Sequence, residues 1–98
     1  MIKVIVGYKV KEGADILPIL QKLASHAAYS LGFIRVENLV SQKDPSIITV
    51  ISTWEKAGDW MQWKESIIRK QLLKEAATLL EEEPRVTSYR VVLKFDWK

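Results

Sequence analysis

Cysteine is absent from the 98 residues, which excludes disulfide stapling, thiolate catalysis, iron–sulfur ligation and thiolate zinc sites. The fold must hold by packing, or by sharing an interface. The one histidine, His26, stands without an HxxxH, HxH or Glu-x-x-His spacing, so no metal site is expected. Gly7, Gly13, Gly32 and Gly58 form neither GxGxxG nor GxxxxGK, which removes the short phosphate-cradling motifs. No run approaches the roughly 18 apolar residues of a membrane span, and the opening MIKVIVGYKV lacks the features of a secretory leader. A soluble, cytoplasmic protein with no membrane segment is expected. Charge of one sign is scarce too: 15 Lys+Arg against 12 Asp+Glu leave only +3, spread along the chain. That is far from a phosphate-binding surface.

What is present suits one small domain over residues 1–98. Apolar residues make up 48% and charged residues 28%, and scaling relations give roughly 16,000 Å² of accessible surface unfolded against roughly 5,700 Å² folded. Ile2, Val4, Val6, Tyr8 and Val10 alternate against Lys3, Ile5, Gly7 and Lys9, which predicts a strand with one apolar face. Asp15 and Pro18 open a helix whose stripe of Ile16, Ile19, Leu20, Leu23 and Ala27 runs to about Tyr29, with Gly32 as its stop. Strands follow at Phe33–Val40 and Ile47–Trp54, the latter continuously apolar and therefore central.

Trp60, Trp63 and Ile67 mark a second helix from Ala57 or Asp59, and its stripe drifts to Leu72, Leu73 and Ala76. A kink near Arg69–Lys70 or a widened buried face is expected. Pro84 precedes a last strand, Val86–Phe95. The order is β-α-β-β-α-β, the α+β ferredoxin-like arrangement in which a four-stranded antiparallel sheet carries two helices on one face. Ile5, Phe33, Leu39, Ile47, Ile51, Tyr89, Val91, Leu93 and Phe95 then form an apolar reverse face, larger than monomers tolerate. A face-to-face homodimer follows.

Aromatic residues are the informative class for function. Trp54 ends a strand, Trp60 and Trp63 share a helix face, and Tyr8 and Tyr89 are expected on outer strands near an opening. Flat apolar rings with one donor each suit a pocket for a planar ligand, and equally suit a plain sheet–helix core. His26 is a candidate general base, against the simpler reading of a helix-end histidine. RNA-recognition domains share this element order, but IITVISTW lacks their basic-glycine-aromatic octamer, so nucleic acid is not expected as a partner.

The segment ITVISTWEKAGDWMQWKES, the Lys-x-Gly turn, Gly32-Phe33 and the Pro84 entry to the last strand resemble the antibiotic biosynthesis monooxygenase family. That resemblance implies a dimeric α+β barrel and a cofactor-independent oxygenase for a planar phenol, quinol or anthrone. Trp63 corresponds to a helix tryptophan shared by relatives. The asparagine that haem-degrading relatives use falls at about Val6, and their haem-ligating histidine at about Leu73, so haem degradation is disfavoured and no cofactor is expected. The candidate catalytic residues are Trp63, Tyr8 and His26, and the candidate substrate contacts are Trp60, Trp63, Tyr89 and Arg90. The alternative is a non-catalytic homodimeric module that binds a small planar ligand or is purely structural.

Overall fold

A computed structural model describes residues 1–97. Seven elements follow in order: β1 (Ile2–Lys9), α1 (Leu17–Ala27), β2 (Phe33–Val40), β3 (Ile47–Trp54), α2 (Ala57–Lys64), α3 (Ile67–Ala77) and β4 (Arg85–Arg90). Period two decides β1, where Val4, Val6 and Tyr8 are buried and Lys9 is exposed. Helix α1 opens as Asp15 Oδ1 accepts the Leu17 amide at 3.1 Å, with Pro18 in the first turn, where its missing amide costs nothing. It ends two residues before the expected Tyr29. The Tyr29 and Ser30 amides instead donate three residues back, to the His26 and Ala27 carbonyls, which tightens the last turn.

The strands are antiparallel in the order β2-β3-β1-β4. Strand β1 is therefore central beside β3, and Tyr8 lies inside the sheet rather than on an outer strand. Register places Val6 opposite Val50 and Val50 opposite Asn38, so these three residues form one row across β1, β3 and β2. The ferredoxin-like order stands, but the barrel does not. Strands β2 and β4 are separated by two inner strands and leave the sheet open; four short strands cannot curl round to meet, since small closed barrels take about eight.

The second helical stretch is two helices rather than one kinked near Arg69–Lys70. Ser66 is extended (φ −66, ψ 146), and its hydroxyl accepts the Arg69 amide at 3.3 Å. A serine that can bond the backbone locally favours a cap over a helix interior, and such a cap contributes about 1 kcal/mol.

Strand β4 also departs from expectation, ending at Arg90 and not Phe95. Ile2 is the last β1 residue opposite it, and one further bond, from the Val91 amide to the Met1 carbonyl at 3.0 Å, closes the ladder. Beyond Val91, no pairing of this segment with another strand occurs among the described residues. Val92, Leu93, Phe95 and Trp97 are all more than 80% exposed. The reverse face is accordingly less apolar than the sequence suggested: Ile5, Ile51, Leu39 and Tyr89 share it with Lys3, Thr49, Thr53, Glu37 and Thr87. Phe33 packs on the helix side instead, edge-on to Trp54.

The core lies between the sheet and the helices, around Val4, Val6, Tyr8, Ile16, Leu20, Trp54, Trp60, Trp63 and Ala76. All six β4 residues are exposed, so the helices cover the inner strands and stop short of this edge. Accessible surface totals 7080 Å², about a quarter above the size expectation. No helix among the described residues is long and apolar enough to cross a membrane.

Candidate functional site

The helix-covered side of the sheet is not completely filled. Val6 and Tyr8 of β1, Val50, Ser52 and Trp54 of β3, and Val36 and Asn38 of β2 form the floor of a cavity. Leu20, Leu23, Ala24 and Ala27 of α1 roof it on one side; Trp60, Trp63 and Arg69 close the other. Small residues at positions 24 and 27 keep α1 from filling the space. The cavity volume is ≈50 Å³. That is room for a few water molecules.

Arg69 is the unexpected member. Its position is buried at 7% exposure, and its guanidinium lies 5.0 Å from the Trp60 ring centre, a cation–π distance. Its Nη1 donates to the Lys64 carbonyl at 3.4 Å, and among the described residues no carboxylate pairs with it. Burial pushes the Arg69 pKa down from the usual arginine value, while Tyr8 and Glu65 pull it back up. Burial likewise raises the Tyr8 phenol above 10.0, partly opposed by Arg69. Tyr8 is therefore a neutral hydrogen-bond donor at physiological pH.

Trp54 fixes the floor. It is fully buried, stands edge-on to Phe33 at 5.5 Å between ring centres, lies 6.1 Å from Trp60, and donates its indole N–H to Ser52 Oγ at 2.9 Å. With its lone pair so engaged, the Ser52 hydroxyl proton is free to donate.

The structure brings together Tyr8, Trp60 and Trp63 of the sequence-predicted residues. It places His26 elsewhere, exposed in a surface groove with Tyr29, Asp59, Gln62 and Ser66, with Trp63 as the wall between that groove and the cavity. Tyr89 and Arg90 line another groove, between α2 and β4, with Trp60 as the shared wall. Sequence reading missed Arg69, Asn38 and Ser52. Arg69 carried a signal: with Leu72, Leu73 and Ala76 it completes an i, i+3, i+4, i+7 stripe, an arginine on the apolar face of α3. Asn38 offered none, because only cross-strand register shows that it shares a row with Val6. Asn38 is exposed and places a carboxamide in the row of Val6, two strands away.

Fold and cavity together define an α+β protein of ferredoxin-like topology with an aromatic-walled, cation-bearing cavity between sheet and helices. The model of the antibiotic biosynthesis monooxygenase family matches residues 1–72, and the chain belongs to that family. Solved structures agree on the fold. An antibiotic biosynthesis monooxygenase is 20% identical with a TM-score of 0.84, covering 95% of this chain and 100% of its own. A conserved protein from Methanosarcina mazei Go1 is 21% identical with a TM-score of 0.83, covering 91% and 90%. SnoaB, a cofactor-independent oxygenase from Streptomyces nogalater, is 13% identical with a TM-score of 0.84, covering 95% and 94%. Among curated proteins, none matches.

Proposed function

We propose that the protein is a cofactor-independent oxygenase acting on a planar phenol, quinol or anthrone held in the cavity. The observation that carries this reading is a buried guanidinium facing the same space as a phenol, a carboxamide and three indoles. Indole faces suit a planar ring, and the polar groups suit its oxygen. The activity named for SnoaB supports the same chemistry. With an anthrone, or a phenol reacting through its keto tautomer, the ring carbon para to the oxygen is oxidised by O₂: its CH₂ becomes C=O, one oxygen atom enters the product, and the other leaves as water with both hydrogens; a quinol would instead give its two hydrogens to O₂, forming quinone and hydrogen peroxide. Arg69 would steady the negative charge on the phenolic oxygen as electrons pass to O₂, Tyr8 and Asn38 would orient it, and Trp63 would cover the ring.

Oxygen uptake with a panel of anthrones, quinols and phenols tests this reading. Consumption of one O₂ per quinone formed is expected, with a reduced rate in Trp63→Phe. Absence of turnover across the panel, together with unchanged ligand binding by Trp63→Phe, would leave the non-catalytic module as the better account. The ≈50 Å³ volume is far below the about 300 Å³ of pockets that take drug-sized ligands, which favours the purely structural form of that second reading. A tricyclic substrate would have to displace α1 or Trp63.

The proposal includes a homodimer. The exposed apolar run of Val92, Leu93, Phe95 and Trp97, and the unpaired outer edges of β2 and β4, supply apolar and hydrogen-bonding surface for a second copy. The accessible area exceeds the size expectation by roughly 1,300 Å², more than the roughly 800 Å² per partner that a stable interface buries. A solution mass of twice 11.3 kDa is expected; a monomer at micromolar concentration would remove the dimer from the proposal.

A further inference from the structure

The cavity contains a cation and lacks a base. Of the fourteen residues lining it, Tyr8 and Arg69 alone carry ionisable side chains; the rest are Asn38, Ser52, three tryptophans and seven aliphatic residues. We infer that the site takes its ligand as a preformed monoanion, a planar phenolate or enolate that has lost its proton to water before entry, with Arg69 as the counter-ion and no residue of this chain as proton acceptor. The inference rests on the cavity being the ligand site, as proposed above, but not on the oxygen chemistry.

An isolated buried charge is costly until it is paired. Arg69 has one bond to a backbone carbonyl and the face of Trp60, which leaves most of its five N–H donors for a ligand. The charged and titratable groups around it are few. Tyr8 approaches from β1, and burial keeps its phenol protonated. Lys64 and Glu65 lie at the end of α2, and Lys70 is next on α3; Glu65 is held by Lys70 at 2.8 Å, with both side chains about 60% exposed. Other carboxylates and the histidine are placed away from the cavity: His26 and Asp59 in the groove beyond Trp63, and Glu37 on the reverse face of the sheet. A neutral phenol would therefore bring its proton to a site that offers donors but no acceptor stronger than an amide or hydroxyl oxygen. Its anion meets a guanidinium, a phenol O–H, a serine O–H and a carboxamide N–H₂. In the proton step the O–H bond of the ligand breaks in solution, the electron pair stays on oxygen, and water takes the proton.

The test is calorimetric titration of the purified protein with substituted phenols of graded acidity, each over a range of pH. The expected result is an apparent Kd that weakens tenfold per pH unit below each phenol's own pKa and levels above it, because only the ionised fraction binds. The midpoint should move with the phenol. Arg69→Met should weaken binding of the anion roughly tenfold to a hundredfold and flatten the slope, whereas Arg69→Lys, which keeps the charge, should retain the slope. A midpoint common to all the phenols would reveal a base on the protein and overturn the inference, as would equal affinity for neutral and ionised forms or no binding by any phenol. A ligand-dependent midpoint without oxygen uptake would retain the anion site and reject the oxygenase. Oxygen uptake with a common midpoint would do the reverse.

Discussion

Trp54→Ala is expected to lower the free energy of unfolding by about 3–5 kcal/mol, the range for deleting a fully buried large aromatic. A domain of this size has about 5–15 kcal/mol in total, so the variant should lose much of its folded population in mild urea. The effect is large because one ring serves several partners. Trp54 has no exposed surface, packs nearly perpendicular to the Phe33 ring and tilted against Trp60, and bonds Ser52 on its own strand. Its removal opens a cavity beside one already present, where nearby side chains can collapse only partly. Trp54→Phe, which keeps a ring but drops the indole N–H, should lose less. Unfolding followed by far-ultraviolet circular dichroism measures both without relying on tryptophan emission. A midpoint for Trp54→Ala within error of the parent would show that the floor of the cavity does not hold the core together.

Gly32→Ala should cost about 2–4 kcal/mol for two separable reasons. Gly32 has φ +78, a left-handed conformation that costs a residue with a Cβ about 1–2 kcal/mol. A Cβ at this position would also overlap the Asp59 side chain, including its own Cβ, so the first turn of α2 must move. That turn sets Trp60 and Trp63, and the Gly32 carbonyl also accepts the Glu55 amide at 2.8 Å. Gly13 provides the control. Its φ is +80, and a Cβ there would meet nothing within 4 Å, so Gly13→Ala should show the conformational cost alone. Adding Asp59→Ala to Gly32→Ala should recover part of the remainder, a coupling read directly from the double-mutant cycle. Equal losses at Gly13 and Gly32 would mean that α2 yields freely at its start.

Trp54 and Gly32 lie at the same end of the molecule. The turn after α1 and the end of β3 meet the start of α2, and the two α2 tryptophans form the cavity wall. A change at Gly32 should therefore alter ligand binding as well as stability, while one at Gly13 should alter stability alone.

The amino-acid sequence by itself determined the order of strands and helical stretches though not the split of the second stretch into α2 and α3, the exact extents of β2 and β3, the inward face of β1 and the central place of β3, because those are consequences of side-chain period and of turn residues such as Gly32 and Pro84. It also marked Trp60 and Trp63 as a shared inward face. Tertiary structure decided what depends on partners: that β4 stops at Arg90, opposite Ile2 of β1, that the sheet stays open, and that Asn38 stands in the row of Val6. It also decided that Arg69 is buried over Trp60 while His26 lies outside the wall. A local pattern reports which way a side chain leaves its own backbone, but the depth of a charge and the company it keeps depend on chain segments dozens of residues away.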